Sequence, residues 1–177
     1  HQLQGLLSGM LSKGVRDVVM EVSSHSLALD RVADLHFASA IFTNLTQDHL
    51  DFHHDMDGYF QAKKKLFDMT CDDQRGCAIV NTDDEYGNRL AEEIGGGVVT
   101  YGIDRKADYK AEIKDISMTG SVFDIHTSAG SKKIRVKLIG KFNVYNCLAA
   151  IVWGIEKGGM DMETVCNVVS QSLPVPG

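Results

Sequence analysis

This 177-residue chain lacks several features that define whole classes of proteins. Its four cysteines form no CxxC pair, which argues against a zinc knuckle or a disulfide framework, so we interpret them as ordinary thiols. No apolar run approaches the roughly eighteen residues that cross a bilayer, and the N-terminus has no basic segment followed by an apolar core. The sequence therefore predicts a cytoplasmic protein without a membrane partner.

A surplus of basic residues is also missing. Lys and Arg number 18 against 24 for Asp and Glu, and the formal net charge is −6. Nucleic-acid binding needs a basic face that this balance does not supply, so we expect no nucleic-acid partner. The charge does not decide the oligomeric state, and we expect a monomer.

The residues that are present predict one α/β domain, because 44% hydrophobic content can bury a sizeable core. Three short apolar runs, at 17–22, 38–43 and 77–80, are typical of strands buried on both faces of a parallel sheet. Apolar residues at helical spacing predict helices over 3–12 and 56–69. A third helix should end near Ile94, with Thr82 or Asp83 as its N-cap.

The pattern changes after the glycines at 95–97. Partial period-two alternation predicts a small antiparallel β meander at about 98–138, added at the sheet edge. Apolar faces then predict helices over 144–157 and 162–173, the last ended by Pro174. The predicted fold class is α/β, with a mostly parallel sheet flanked by helices and this meander beside it.

Polar side chains stand where two of the predicted strands end. Glu21 closes the first strand, Ser23 lies in the loop beyond it, and His49 follows the second strand. Open α/β sheets bind ligands in the crevice beyond the carboxyl ends of their strands, so both groups could face one crevice. A buried carboxylate is costly unless paired, so Glu21 is either part of a structural salt bridge or a metal ligand.

The segment from Thr43 to Phe67 holds the densest set of metal-capable groups in the chain. Of its histidines at 49, 53 and 54, His49 is the best candidate ligand because it is nearest the strand end, although histidines beside aspartates are also common on exposed loops. Lysines 63–65 would ordinarily form a solvated helix face. Successive helix residues rotate by about 100°, so we expect Lys63 to be the lysine that turns inward.

A phosphate loop of the G-x-x-x-x-G-K-[ST] type is absent, since Gly140 and Lys141 are followed by Phe142. If the protein is a nucleotide enzyme, its phosphate loop must lie upstream of His1. The predicted helix start at 140–146 offers free backbone N–H groups to an anion, although Asn143 could simply be an N-cap.

Five segments taken together resemble the Mur ligase family: EVSSH (21–25), FTNLTQDHLDFH (42–53), YFQAK (59–63), NTDD (81–84) and GKFNVYNCLAA (140–150). They follow the family's order and are most similar to the branch that adds the third amino acid to UDP-N-acetylmuramoyl-L-alanyl-D-glutamate in peptidoglycan synthesis. The resemblance implies the P-loop NTPase-like central ATPase domain over residues 1–177, without the upstream phosphate loop and the C-terminal domain.

The resemblance also implies a metal site and a reaction. Glu21, His49 and a carbamylated Lys63 would be the catalytic residues and would hold Mg²⁺. ATP would phosphorylate a carboxylate of UDP-MurNAc-dipeptide, and the acyl phosphate would react with an amino acid, meso-diaminopimelate or L-lysine. The implied cofactors are therefore ATP and Mg²⁺, and we expect residues 1–177 alone to be inactive.

Four further residues are given binding roles by the same resemblance. Ser23 and Arg31 would hold the UDP-muramoyl peptide, and Asn146 with Phe142 would contact the adenine of ATP. Some family members carry Gln where this chain has Leu29, so a substrate hydrogen bond made there is missing.

Two other functions stay open from the residues alone. A metal-dependent hydrolase could be built on His49, His53, His54 and Asp57, and it would bind zinc and act without a nucleotide. A non-catalytic nucleotide-binding module would leave Lys63 unmodified and would tolerate its replacement.

Overall fold

A computed structural model describes residues 2–71 and 77–173. The helices are α1 (Gln2–Ser12), α2 (Ser24–Ala28), α3 (Leu50–His53), α4 (Met56–Cys71), α5 (Glu85–Ile94), α6 (Lys141–Glu156) and α7 (Met162–Ser170). The strands are β1 (Ser39–Phe42), β2 (Cys77–Asn81), β3 (Val98–Gly102), β4 (Tyr109–Ser117), β5 (Gly120–Thr127) and β6 (Gly130–Val136). None of the helices described has the length and apolar character to cross a membrane.

The strands form one sheet in the order β1-β2-β3-β4-β5-β6. Each neighbouring pair from β1 to β4 is parallel, and β4, β5 and β6 are antiparallel neighbours. This mixed sheet with flanking helices confirms the predicted α/β class. The predicted bounds of the meander need one correction: β3 is a parallel strand, so the antiparallel part covers 109–136.

Helices cover both faces of the parallel strands, as strands that are apolar on both sides require. In β2, Ala78 and Val80 share a core with Phe60 of α4 and Leu90 of α5. Ile79, which points to the opposite face, shares a second core with α6 and α7, and that core continues under the antiparallel strands. The two layers leave the carboxyl edge of β1 and β2 open for loops that carry polar side chains.

The connection from β3 to β4 is unusually short. Only residues 103–108 join these parallel neighbours, whereas a parallel pair ordinarily needs a crossover of about a dozen residues. The pairing covers two residue pairs, so β4 begins where β3 ends and runs on beyond it. Asp108 holds the connection closed, because its carboxylate accepts hydrogen bonds from both the N–H and the hydroxyl of Thr100.

The first predicted strand is wrong. Residues 17–22 form no strand, and β1 is the edge of the sheet in the part of the chain that the structure describes. Val19 is 92% exposed, and Glu21 is exposed as well, so Glu21 is not a carboxylate buried in the sheet. An apolar run becomes a buried strand only where neighbours cover it, and none of the described strands pairs with this one.

Three predictions about helix starts can be compared with the structure. The N-cap of α5 is Asp84, not Thr82 or Asp83. The helix predicted over 144–157 begins earlier, at Lys141, with Gly140 as its N-cap. Asn143 does not cap it, and its Nδ2 instead donates to the carbonyl oxygen of Ile139 at 2.9 Å.

The cysteines behave as the sequence predicts wherever they are described. Cys147 and Cys166 are buried free thiols, and burial raises the pKa of Cys147 to about 11, which keeps it protonated. The side chain of Cys71 and the expected helix end at Pro174 lie outside the described residues.

Asp84→Ala is expected to lower the free energy of unfolding by about 2 kcal/mol. The carboxylate accepts from the N–H of Gly87 at 3.0 Å, which caps α5, and from the N–H of Leu45 at 3.0 Å, which anchors the loop after β1. Asp161→Ala is the matched control, since Asp161 caps α7 through bonds to Thr164 within its own helix. Urea denaturation should show the larger loss of stability for Asp84→Ala. Equal losses would mean that the hydrogen bond to Leu45 does not stabilise the fold.

Candidate active site

The loops that follow β1 and β2 are tied together at the carboxyl edge of the sheet. Asn81, the last residue of β2, donates from Nδ2 to the carbonyl oxygen of Thr43 at 2.8 Å. The N–H of Leu45 donates to the carboxylate of Asp84 at 3.0 Å. The NTDD segment therefore holds in place the stretch of chain that leads to His49.

His49 immediately precedes α3 and has a left-handed backbone conformation, with φ of 54°. Such a conformation costs a non-glycine residue about 1–3 kcal/mol, and residues held in it cluster at active sites and ligand clamps. Asp48 restrains the residue, because its carboxylate accepts from the His49 N–H at 2.8 Å and lies 3.4 Å from the ring nitrogen Nε2. The His49 side chain is 45% exposed and can reach a ligand in the crevice.

Lys63 is the inward-facing lysine of α4, as the helical rotation predicts. It is half-buried and follows Phe60, which is fully buried, by one turn of the helix. Burial lowers the pKa of Lys63, and the negative charge of Glu21 opposes this effect by raising it. Glu21 therefore lies within electrostatic reach of Lys63, although the two residues are far apart in sequence.

The two lysines that follow have partners of their own. Lys64 forms an ion pair with Glu93 at 2.8 Å, and Lys65 forms one with Asp30 at 3.4 Å. Among the residues that the structure describes, no ion pair within 4 Å involves Lys63. Of these three lysines, Lys63 is therefore the one whose amine takes part in no ion pair with the described residues.

The loop that carries Glu21 and Ser23 abuts the loop that carries His49. Ser23 is the N-cap of α2, and its hydroxyl accepts from the N–H of Ser26 at 3.2 Å. The ring of His25 lies edge-on to the ring of His49, with 4.9 Å between the ring centroids. The segment that follows Glu21 and the loop that carries His49 therefore lie side by side.

Arg31 lies farther along the same segment. Its side chain is exposed and lines a cleft of about 170 Å³ between α1 and the residues after α2. Leu29, for which the family resemblance implies the loss of a substrate hydrogen bond, is exposed just before it.

A buried contact between α2 and α3 is not predicted by the sequence. The ring nitrogen Nε2 of His53 lies 2.9 Å from the hydroxyl of Ser24. Burial, with His25 and His49 close by, lowers the pKa of His53, so its ring is neutral at pH 7. No local signal marks this pair, because the two residues are 29 positions apart.

Phe142 and Asn146 lie one turn apart on the first turns of α6. Both are exposed, and the Phe142 ring is 80% exposed, which is unusual for a large apolar side chain. Lys141, the first residue of α6, forms an ion pair with Asp104 in the loop before β4, with 2.7 Å between Nζ and Oδ2. The structure thus places Glu21 within electrostatic reach of Lys63 and the ring of His25 beside that of His49, while Phe142 and Asn146 lie on a separate element.

The metal-hydrolase hypothesis needs His49, His53, His54 and Asp57 to converge on one ion. In the part of the chain described, they do not: His53 is turned into the core and bonded to Ser24, and Asp57 is paired with an arginine of α5. The described side chains whose ligand atoms do converge are on β4 and β5, namely Glu112, Asp124 and His126. The geometry therefore does not favour the hydrolase.

Solved structures with the same fold carry related names. One titled "Structure of UDP-N-acetylmuramoyl-L-alanyl-D-glutamate--2,6-diaminopimelate ligase" has a TM-score of 0.87 at 28% identity, covering 99% of this chain and 36% of that one. A MurF from Acinetobacter baumannii has a TM-score of 0.70 at 25% identity, covering 79% of this chain and 30% of that one. The fold and its polar carboxyl edge thus define an α/β domain of the Mur ligase kind.

Sequence comparison identifies the family. The model of the Mur ligase middle domain matches residues 1–154. The diaminopimelate ligase of Thermosynechococcus vestitus is 45% identical over 176 residues, which are 99% of this chain and 35% of that protein. The same ligase of Caldanaerobacter subterraneus is 47% identical over 150 residues, which are 84% of this chain and 30% of that protein. The chain belongs to the Mur ligase family, and it spans about a third of the length of these relatives.

Proposed function

We propose that this chain is the central ATPase domain of a MurE-type ligase that joins 2,6-diaminopimelate to UDP-MurNAc-L-Ala-D-Glu, using ATP. The observation that carries the proposal is that the half-buried Lys63 lies within electrostatic reach of Glu21, on the helix whose Tyr59 ring meets the ring of His49 beyond the carboxyl end of β1. The names of the relatives support the substrates, and the choice of diaminopimelate over L-lysine is carried over from them.

The donor set fits magnesium. Glu21 offers an exposed carboxylate, which is the hard ligand that Mg²⁺ prefers, and His49 offers an exposed imidazole restrained by Asp48. Bound Mg²⁺ would neutralise the phosphate oxygens of ATP as they approach the substrate carboxylate. In this proposal, Glu21 and His49 supply the ligands from the two loops that face each other.

Lys63 completes the set as a carbamate. A neutral amine can attack carbon dioxide, forming an N–C bond and releasing one proton, so the side chain changes from a cation to an anion. Burial lowers the pKa of Lys63 and raises the share of neutral amine, whereas a free ammonium would repel a metal ion. The carbamate would then face Glu21 across the site as a further anionic ligand.

The remaining residues bind the two substrates. Ser23, beside Glu21, and Arg31, at the cleft next to α1, would hold the anionic UDP-muramoyl peptide, with Arg31 as a charged hydrogen-bond donor. Phe142 presents an exposed ring on which an adenine can stack, and Asn146, one turn later, presents an amide that can bond to the edge of the base. We assign the phosphate loop and the domain that selects the amino acid to sequence outside residues 1–177. We also propose a monomer in the cytoplasm, where ATP and UDP-linked substrates occur.

Phosphate release by the full-length protein tests this function. With ATP, Mg²⁺ and UDP-MurNAc-L-Ala-D-Glu present, added meso-diaminopimelate is expected to stimulate phosphate release at least about 10-fold more than L-lysine, because a site that bonds a polar group rejects the analogue that lacks it. Residues 1–177 alone are expected to release none. ATP hydrolysis that does not depend on an amino acid, or turnover by residues 1–177, would contradict the proposal.

A further inference from the structure

A buried hydrogen bond joins the two loops that carry the proposed metal ligands. Ser24 is 1% exposed and His53 is 8% exposed, and their Oγ and Nε2 atoms are 2.9 Å apart. Ser24 lies three residues after Glu21, and His53 lies four residues after His49. The bond therefore holds the start of α2, just after Glu21, against the end of α3, just after His49.

Tyr59 extends this link to α4. Its ring stacks on the ring of His53, with 5.0 Å between centroids and 12° between planes, and its hydroxyl lies close enough to Ser24 to influence the pKa of Tyr59. Tyr59 is one helical turn before Lys63, and residues spaced by four share a helix face. The same ring lies 6.0 Å from the ring of His49, which it meets edge-on. Ser24, His53 and Tyr59, here called the Ser24 cluster, thus join the segment after Glu21, the helix after His49 and the helix that carries Lys63.

A cluster of this kind has little freedom to rearrange. Leaving one of its buried polar atoms without a partner costs about 1–3 kcal/mol, so the hydroxyl and the ring nitrogen hold each other in one arrangement. Partners behind metal ligands commonly orient those ligands, and their loss weakens metal binding by about 10- to 100-fold. His53 itself is too buried to reach a substrate.

Building on the proposed function, we infer that His53 is a positioning residue, which acts through Ser24 and Tyr59 to set the position of Glu21 relative to His49 in the loop before α3 and Lys63 on α4. This role predicts that breaking the Ser24 bond loosens the cation site while leaving every proposed ligand in the chain.

Direct measurement of Mn²⁺ binding tests this inference without turnover. In the full-length protein, with a non-hydrolysable ATP analogue present, electron paramagnetic resonance gives the Kd of Mn²⁺ for each variant. His53→Phe keeps an aromatic ring to stack on Tyr59 but removes the hydrogen bond, and it is expected to raise the Kd about 10-fold. Ser24→Ala removes the same bond from the other side and should have a similar effect, and the double variant should be no worse than either.

Two further variants separate positioning from general damage. His53→Gln places an amide near the position of Nε2, so it should restore most of the Mn²⁺ affinity. His54→Asn is the matched control, since His54 is exposed, and Asn tolerates its φ of 67°. Melting temperatures report folding separately. If His53→Phe does not fold, the single variants Ser24→Ala and His53→Gln still test the positioning role.

The outcomes are distinct. Parent-like Mn²⁺ affinity in both His53→Phe and Ser24→Ala would overturn the positioning role, as would a parent that binds no Mn²⁺. A parent that binds Mn²⁺ and loses affinity in these variants, yet never ligates, would support the positioning role and remove the proposed function.

Discussion

Lys63→Ala in the full-length protein is expected to lower the ligation rate by at least about 100-fold. Removing one group that stabilises charge at a transferring phosphoryl or acyl centre typically costs that much or more. The structure gives the reason for the choice of this lysine: it is half-buried, and burial lowers its pKa despite the opposing charge of Glu21, which favours the neutral amine that reacts with carbon dioxide. Phosphate release at saturating substrate measures the loss.

Lys64→Ala is the matched control for this prediction. Lys64 neighbours Lys63 on α4, but its ammonium is held by Glu93 at 2.8 Å on the surface, so its variant should ligate at close to the parent rate. Added acetate or formate should restore part of the activity of Lys63→Ala alone, because a small carboxylate can stand in for the missing carbamate. Under ¹³C-labelled bicarbonate, a carbamate signal should be seen in the parent and absent in Lys63→Ala. Parent-like ligation by Lys63→Ala would exclude Lys63 from the site.

The sequence predicts those parts of the site that depend on one element at a time. Helical rotation alone turns Lys63 inward, because Phe60 must face the core, and the structure has it so. The strand-end rule places His49 beside the segment after residue 21, and the rings of His25 and His49 are 4.9 Å apart, although the first of the two strands on which the rule was based is not formed. These inferences use only spacing and the direction of the chain.

Contacts between distant segments are what the sequence does not predict. Ser24 and His53 each look like ordinary polar loop residues, and their bond exists only because the fold brings two loops together. The parallel start of β4 is also hidden, because period-two alternation is the same in parallel and antiparallel strands. The wrong prediction of a strand at 17–22 has a related cause. Hydrophobicity shows that a segment can be buried, but whether neighbouring strands cover it depends on other parts of the chain.

Asp83 is a second residue whose importance appears only in the structure. Its carboxylate accepts the backbone N–H groups of residues 103, 104 and 105 at 2.5, 2.9 and 2.6 Å, which are the start of the short connection between β3 and β4. It also accepts the hydroxyl of Tyr145, on α6, at 2.7 Å. One side chain therefore joins the parallel strands, the turn into the antiparallel strands and the helix that carries Phe142 and Asn146.

Asp83→Ala is expected to lower the free energy of unfolding by about 3 kcal/mol, since hydrogen bonds to a charged group are worth about 1.5–3 kcal/mol each and several partners lose theirs together. Asp104→Ala is the matched control, because Asp104 is in the same loop but makes an exposed ion pair with Lys141, which should contribute little. Urea denaturation compares the two variants. A loss for Asp83→Ala no larger than for Asp104→Ala would show that the connection folds without this carboxylate.

The pH dependence of Asp83→Asn gives a stricter test of the same contacts. Partial burial alone would raise the pKa of Asp83, but the three backbone donors and Tyr145 together outweigh it and lower the pKa below its usual 3.8. A carboxyl group with a lowered pKa in the folded state contributes stability above its unfolded pKa and loses that contribution as the pH falls through its folded pKa. The stability difference between parent and Asp83→Asn should therefore be constant at neutral pH and shrink below about pH 3.8. Because every other carboxyl group is common to both proteins, a difference that stayed constant to lower pH would mean that the charge of Asp83 is not what holds these three elements together.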